Sequence, residues 1–134
     1  MIHERKRGNM ELYKTIVRAI RDYMKTDDYM SLFLTGGCYW FASLVADYVP
    51  NSYLMINYRL EHCAVMVEQK LYDITGPISK EGYTYADERQ IKYMQKNYKI
   101  DNDLNALEQY IRKRVKEYQR KQKIYLQSQL NCDN

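Results

Sequence analysis

Three stretches of the chain carry apolar residues at helical spacing. Between Met10 and Met24 the apolar positions return every three or four residues, which predicts an amphipathic helix. Asp87 can cap a further helix that continues to about Tyr98. A last helix is predicted within residues 101–130, from Asp101 or Asp103 to near Leu130. Its apolar stripe consists of Leu104, Leu107, Ile111, Val115 and Tyr118. The pattern therefore places helices in the first and last thirds of the chain.

The middle of the chain has a different pattern. The double glycine Gly36-Gly37 breaks the short segment before it, and residues 39–46 are apolar on nearly every side, which predicts a buried helix. Three runs rich in Tyr, Val, Ile and Met predict strands over residues 53–58, 62–68 and 71–74. A polar hinge at residues 68–70 predicts that the last two strands form an antiparallel hairpin. The sheet is then predicted to end at residues 75–77, with a loop over residues 78–86.

The order of the predicted elements is helix, buried helix, strands and then helices. This order is typical of an α+β fold with segregated elements. A length of 134 residues fits one domain, so residues 1–134 are predicted to form a single unit. Residues 1–9 include the basic cluster Arg5-Lys6-Arg7 and are predicted to form a flexible tail.

Composition narrows the class of protein. Hydrophobic residues make up 46% of the chain and charged residues 28%, as in globular rather than disordered proteins. No apolar run reaches the roughly 18–20 residues that cross a bilayer, and the charged N-terminus lacks the apolar region of a secretory signal. The three cysteines match neither a disulfide framework nor a zinc pattern. We therefore expect a cytoplasmic protein of the producing or host cell with free thiols, no membrane contact, no metal and no organic cofactor.

Cys38 lies where a reactive thiol is expected. A nucleophilic cysteine acts as its thiolate, which a helix N-terminus and a nearby imidazole favour. Cys38 directly follows Gly36-Gly37 and directly precedes the predicted buried helix, so the first helical N–H groups would face its sulfur. The structural alternative is a small buried cysteine that only fills the core.

His62 and Asp73 are candidates for the other two members of a catalytic triad. His62 opens a predicted strand and is the candidate base, and Asp73 on the next strand is the candidate for orienting the imidazole. A hairpin centred on Gln69 would place residue 62 near residue 76, so a different register or a bulge is needed to bring Asp73 beside His62. The alternatives are a structural histidine and a turn-forming aspartate.

These segments, TGGCYWFA at 35–42, HCAVMV at 62–67 and LYDITG at 71–76, together resemble small papain-like cysteine hydrolases. Such domains include papain-fold toxins, transglutaminase-like domains and compact relatives encoded by phages. The resemblance implies a papain-like core, in which a helix carrying Cys at its N-terminus packs on a small antiparallel sheet. It also implies that Cys38 is the nucleophile, that His62 is the general base and acid, and that Asp73 orients the imidazole.

Gly37 and Trp40 are the candidates for oxyanion and substrate contacts. Papain-like peptidases usually place a glutamine shortly before the cysteine to complete the oxyanion hole, whereas residues 29–35 contain neither Gln nor Asn. The backbone N–H of Cys38 would then act with a second donor that the sequence does not identify. Trp40 either stacks on a substrate or belongs to the core.

The last predicted helix suggests a different class of function. Residues 111–123 contain one acid and seven basic residues: Arg112, Lys113, Arg114, Lys116, Arg120, Lys121 and Lys123. With tyrosines interleaved, this pattern fits a nucleic-acid footprint, and it equally fits the solvated face of an amphipathic helix. The apolar stripe of the same helix could instead form the seam of a homodimer.

Two functions are therefore carried forward. The first is a thiol hydrolase or acyltransferase (peptidase, amidase or deamidase) that acts on an amide or peptide bond of a protein or peptide through Cys38, His62 and Asp73. The second is a non-catalytic inhibitor or binding protein of a phage or mobile element, whose basic C-terminal helix binds a host protein or nucleic acid. Cys38→Ala abolishes the first function and spares the second.

Overall fold

The computed structural model describes residues 2–26, 28–100 and 103–132. They form an α+β fold in which helices pack on a small antiparallel sheet. The helices are α1 (Ile2–Met24), α2 (Asp28–Leu34), α3 (Cys38–Tyr48), α4 (Glu88–Asn97) and α5 (Asn105–Cys132). The strands are β1 (Tyr53–Asn57), β2 (His62–Val67), β3 (Lys70–Asp73), β4 (Gly76–Ile78) and β5 (Thr84–Tyr85), in the spatial order β4-β3-β2-β1-β5.

The helix predicted from Met10 begins earlier in the structure. α1 starts at Ile2, so the segment 1–9, predicted to be a flexible tail, is helical from its second residue. The physical reason is that apolar periodicity detects only a buried face, whereas Glu, Arg and Lys extend a helix without one. At the other end, α5 runs over Asn105–Cys132 in place of 101–130, and residues 101 and 102 lie outside the described residues.

The sheet has two strands more than the sequence predicts. Gly76–Ile78 overlaps residues 75–77, where the sheet is predicted to end, but it pairs with β3 as strand β4. Thr84–Tyr85 lies in the predicted loop and pairs with β1 as strand β5. Both are edge strands, where Pro77 is tolerated because one side of an edge strand needs no ladder hydrogen bonds. Such short strands carry no period-two pattern, so the sequence alone does not predict them.

The main core lies between the helices and one face of the sheet. α3 packs on β2, and α1 packs on both α3 and α5. Fully buried apolar residues fill this layer, among them Ile16, Ile20, Phe33, Phe41, Val65 and Ile111. The buried part of the α5 stripe, which includes Leu107 and Val115, belongs to the same core. α1 of the same chain therefore covers the stripe that could have formed a dimer seam.

The opposite face of the sheet carries a smaller apolar cluster. It contains Met55, Ala64, Met66 and Leu71, with Ile78 and Tyr83 packed against it. The following helix, α4, begins as predicted at Asp87: the Asp87 carboxylate accepts from the Gln90 backbone N–H, and the Gln90 side chain accepts from the Asp87 backbone N–H. This capping box confirms the predicted start of α4.

No single helix in the described part of the chain is long and apolar enough to cross a bilayer. α2 and α3 reach that length and composition only as a pair, and their axes differ by 89°.

Candidate active site

A tight turn places Cys38 at the first position of α3. The two glycines of this turn are required by close contacts with neighbouring backbone. A Cβ on Gly36 would lie 2.3 Å from the Lys99 carbonyl oxygen, and a Cβ on Gly37 would lie 2.7 Å from the Leu32 carbonyl oxygen. Neither distance is possible for a real side chain, so the glycines let the segment around Lys99 pack against the start of α3. Cys38 itself is only 1% exposed.

The thiol of Cys38 is in direct contact with the second strand. The backbone N–H of Cys63 donates to Cys38 Sγ over 3.4 Å. This hydrogen bond and the N-terminus of α3 both favour negative charge on the sulfur. Cys63 itself is buried in the core as predicted, and burial raises the pKa of its thiol far above the ordinary range. One buried thiol thus accepts a backbone hydrogen bond, whereas its neighbour is an apolar core residue.

The hairpin between β2 and β3 brings His62 and Asp73 to the same face of the sheet. Its turn contains two residues, Glu68 and Gln69, which both have positive φ (53° and 70°). The ladder pairs Val65 with Tyr72, so Ala64 lies opposite Asp73 and His62 is the diagonal neighbour of Asp73. A turn centred on Gln69 would shift the register by one residue and place Asp73 on the other face. The two-residue turn therefore makes a bulge unnecessary.

His62 and Asp73 form a buried pair. The ring Nε2–H donates to Asp73 Oδ2 over 3.1 Å, and both side chains are about nine-tenths buried (10% and 8% exposed). Burial alone lowers the pKa of His62, but hydrogen bonds to Asp73 and Cys38 and their negative charges outweigh it and raise the pKa from 6.5 to about 9. With Nε2 bound to Asp73, Nδ1 is the ring nitrogen left for the Cys38 thiol.

Two neighbours hold the Asp73 side chain and backbone in place. Burial alone raises the pKa of Asp73, but hydrogen bonds from His62 and Thr75 outweigh it and lower the pKa below its usual range. Thr75 donates twice to Oδ1, from its backbone N–H over 2.8 Å and from its hydroxyl. The Tyr13 hydroxyl of α1 donates to the Asp73 carbonyl. Oδ1 of Asp73 thus accepts from Thr75, and Oδ2 accepts from His62.

A cleft of about 900 Å³ opens beside this pair on the sheet face away from α3. His62 and Asp73 lie on its wall together with Asn57, which pairs with His62 across the strands and is itself buried. The Tyr83 ring meets the His62 ring edge-on at 6.4 Å, and burial raises the pKa of Tyr83 to about 12. The mouth of the cleft is lined by apolar and aromatic side chains, including Leu34, Tyr58 and Leu60.

Gly37 and Trp40, the candidates for oxyanion and substrate contacts, do not lie at the cleft beside His62. The Gly37 N–H donates to the Leu32 carbonyl over 3.0 Å, and the Cys38 N–H donates to the Thr35 carbonyl over 3.2 Å. Both amides are therefore used inside the turn. Trp40 stacks on Phe33 at 5.3 Å and packs against the main core, on the α3 side of the molecule. Neither Gly37 nor Trp40 lines the cleft beside His62.

Most basic residues of α5 lie on its exposed faces. Six are exposed: Arg112, Lys113, Lys116, Arg120, Lys121 and Lys123. Four of them line a groove of about 420 Å³ with Gln109 and Glu117. Arg114 differs, because it donates to the Tyr110 hydroxyl over 2.8 Å and to Asp22 over 3.4 Å. Arg114 thus joins α5 to α1, which is a structural use of its charge.

Other groups near the site carry no strong sequence signal. Thr75 could have been inferred from its place two residues after Asp73, a spacing typical of side-chain-to-backbone turns. Asn57, Tyr83 and Tyr98 reach the site only through pairing and packing. Within residues 2–26, 28–100 and 103–132, no group of three His, Cys, Asp or Glu side chains is arranged to hold a metal ion. The chemistry available in this part of the chain is therefore that of thiol, imidazole, carboxylate and phenol.

The family model described as Phage YunG-like protein matches residues 16–126, which include α2 to α4, the whole sheet and most of α1 and α5. No curated protein and no solved structure matches the chain.

Proposed function

This chain belongs to the phage YunG-like protein family, and we propose that it is a thiol hydrolase or acyltransferase with Cys38, His62 and Asp73 as its triad. The observation that supports this proposal is one buried imidazole whose Nε2 binds Asp73, while the Cys38 thiol accepts a hydrogen bond from Cys63, the residue next to His62, and raises the pKa of the same ring. A buried structural histidine would need a hydrogen-bond partner such as Asp73 but no thiol beside it, and a core cysteine would need no imidazole. The proposal includes a papain-like core, since the cysteine helix precedes the histidine strand and the aspartate strand.

The proposed reaction is acyl transfer from an amide or peptide bond. The Cys38 thiolate attacks the carbonyl carbon, and the carbonyl π pair moves to the oxygen. As the tetrahedral intermediate collapses, His62 Nδ1–H gives its proton to the leaving amine and a thioester remains on Cys38. His62 then takes a proton from water or from an acceptor amine, which attacks the thioester and regenerates the thiol. Asp73 keeps the Nε2–H in place throughout.

Alkylation of each cysteine by iodoacetamide, read by peptide mass spectrometry from pH 4 to pH 9, tests the thiol–imidazole pair. At pH 6 an ordinary thiol, with a pKa of about 8.5, is almost entirely protonated. We expect folded Cys38 to react at pH 6 about 10–100-fold faster than Cys38 in the chain unfolded by urea. His62→Gln is expected to remove this advantage because it removes the imidazolium.

Cys63 is the internal control: it is as buried as Cys38, but its raised pKa should keep its thiol protonated and unmodified in the same samples. The proposal fails if Cys38 in the folded protein reacts no faster at pH 6 than in the unfolded chain. It also fails if His62→Gln reacts like the unchanged protein, since the imidazole would then have no effect on the sulfur.

The groove on α5 supports a second candidate function, the binding of nucleic acid. Arg112, Lys113, Lys116 and Arg120 line it, and each is exposed and available to a phosphate backbone. A protein that neutralises about four phosphates should lose affinity with a log–log salt slope of about −4. We expect this slope for a DNA duplex, measured by fluorescence anisotropy, and a tenfold or larger loss of affinity in the Arg112→Glu, Lys116→Glu double variant.

Cys38→Ala is the matched control, because it removes the thiol without touching α5 and should bind the duplex with unchanged affinity. Binding that does not depend on salt, or that survives the double charge reversal, would contradict this second function.

A further inference from the structure

Acyl transfer at Cys38 requires a hydrogen-bond donor for the oxygen that becomes negatively charged. The usual donors at the start of the cysteine helix are already in use here. The Cys38 N–H donates to Thr35, and the Gly37 N–H donates to Leu32. The segment 29–35 contains no Gln or Asn that could replace them. The site as proposed therefore lacks an identified oxyanion donor.

Tyr98 has a buried hydroxyl that no group in the described part of the chain satisfies. Its oxygen is inaccessible to solvent, and it is the one such side-chain polar atom found there without a hydrogen-bond partner. A buried polar group without a partner is destabilising and calls for an explanation, often a functional one. The sequence offers no hint of this, because Tyr98 is simply the residue that ends α4.

The neighbours of Tyr98 place it beside the start of α3. Lys99 and Ile100, which follow it, make the close contacts that require Gly36 and Gly37. Tyr98 also lines a small cavity with Tyr39, the residue directly after Cys38, and with Trp40. Its ring packs edge-on against Tyr93 at 5.9 Å.

We propose that the Tyr98 hydroxyl is the oxyanion donor of this site, on the basis of its orphaned buried O–H and its position against the cysteine turn. This inference rests on the proposed acyl-transfer function. In the attack step, the Cys38 sulfur forms a bond to the carbonyl carbon and the displaced π pair resides on the oxygen. That oxygen accepts a hydrogen bond from Tyr98 Oη–H until the intermediate collapses.

Burial and nearby charges keep the Tyr98 hydroxyl protonated, so it can donate a hydrogen bond. Burial, then the charges of Tyr93, Cys38, Glu61 and Cys63, raise its pKa to about 12. The hydroxyl therefore retains its proton at any pH at which the thiolate forms. The influence of both Cys38 and Glu61, which precedes His62, also agrees with a position close to the triad.

The test compares two reactions of Cys38 in the Tyr98→Phe variant, which loses only the hydroxyl. Alkylation by iodoacetamide passes through no oxyanion and should proceed at the rate of the unchanged protein. Acylation by p-nitrophenyl acetate passes through an oxyanion, with p-nitrophenolate as the leaving group, and should slow by about 10²-fold. Because an unsatisfied polar group is removed, Tm should rise by about 2–4 °C.

Tyr93→Phe is the matched control: it removes a hydroxyl from the adjoining ring and should acylate at the unchanged rate. Acylation of Tyr98→Phe at the unchanged rate would overturn the role of Tyr98 and leave the proposed function standing. Equal slowing of alkylation and acylation would also overturn it, since Tyr98 would then act on the thiolate. Absence of any acylation of Cys38 in the unchanged protein, with Cys38→Ala as the blank, would overturn both proposals.

Discussion

Replacing Asp73 by asparagine should slow acylation of Cys38 by about 10³-fold. The change is nearly isosteric, so the loss would come from proton placement. Oδ1 of Asp73 accepts two hydrogen bonds from Thr75, and Oδ2 accepts from His62 Nε2–H. In an asparagine the two Thr75 donors select the amide oxygen for the first position. The amide NH₂ must then face His62.

This arrangement forces the wrong tautomer on the imidazole. A ring nitrogen that faces an NH₂ group has to present its lone pair, so the proton of His62 moves from Nε2 to Nδ1. Nδ1 is the nitrogen left for the Cys38 thiol, and once protonated in a neutral ring it cannot take a proton from that thiol. A negatively charged Asp73 is therefore required here by the geometry of Thr75.

The measurement is the rate of acylation of Cys38 by p-nitrophenyl acetate, with circular dichroism to show that the variant is folded. Asp47→Asn, at an exposed aspartate of α3, makes the same chemical change away from the triad and should leave the rate unchanged. A folded Asp73→Asn variant with the rate of the unchanged protein would mean that Asp73 does not orient His62.

In the Cys38→Ala variant, the free energy of unfolding should fall as pH rises above the ordinary histidine pKa of about 6.5. Burial alone lowers the pKa of His62, but the hydrogen bond to Asp73 is the largest interaction that raises it, and this bond remains when the thiol is removed. A group whose pKa is raised by folding contributes its full stabilisation below the lower value and loses it as pH passes the higher value. In the unchanged protein, a proton passed from Cys38 to the ring leaves the folded and unfolded chains with equal numbers of protons up to the ordinary thiol pKa of about 8.5, so the decline should begin only there.

The other groups whose pKa values are raised by burial affect the free energy of unfolding only at higher pH. Burial also raises the pKa values of Cys63 and Tyr13, so their contributions to stability decrease at still higher pH. Asp73 acts at the opposite end: its lowered pKa gives stability that is lost only in acid. In Cys38→Ala the interval above about pH 6.5 therefore reports mainly on His62 and its partner Asp73.

Urea unfolding of Cys38→Ala at half-unit pH steps from 6 to 9.5 measures this dependence, and adding His62→Gln should flatten it. A stability of Cys38→Ala that stays constant over this range would show that Asp73 does not hold the proton on His62. An equal decline in the Cys38→Ala, His62→Gln double variant would assign the dependence to a different group.

Local chemistry made several elements predictable. The glycine pair marks the start of the cysteine helix, because only glycine lets Lys99 and Leu32 approach so closely. Asp87 and Gln90 form the capping box of α4. In these places the residues that determine an element are its own, so the α+β class follows from the pattern alone.

Other features depended on contacts between distant segments. The edge strands β4 and β5 exist because β3 and β1 offer them unpaired edges, and neither has a pattern of its own. The same holds for the α5 stripe, whose buried residues pack in the core of the same chain, where α5 meets α1.

The amino-acid sequence by itself determined which residues carry chemistry: one cysteine at a helix start, one histidine at a strand start and one aspartate on the next strand. Only the tertiary structure decided that they meet. A two-residue turn at Glu68-Gln69 set the register that puts Asp73 on the face of His62. Packing of the segment after α4 placed Lys99 and Ile100 against the cysteine turn. Strand register and long-range packing are properties of pairs of segments, whereas a sequence pattern records only one segment at a time.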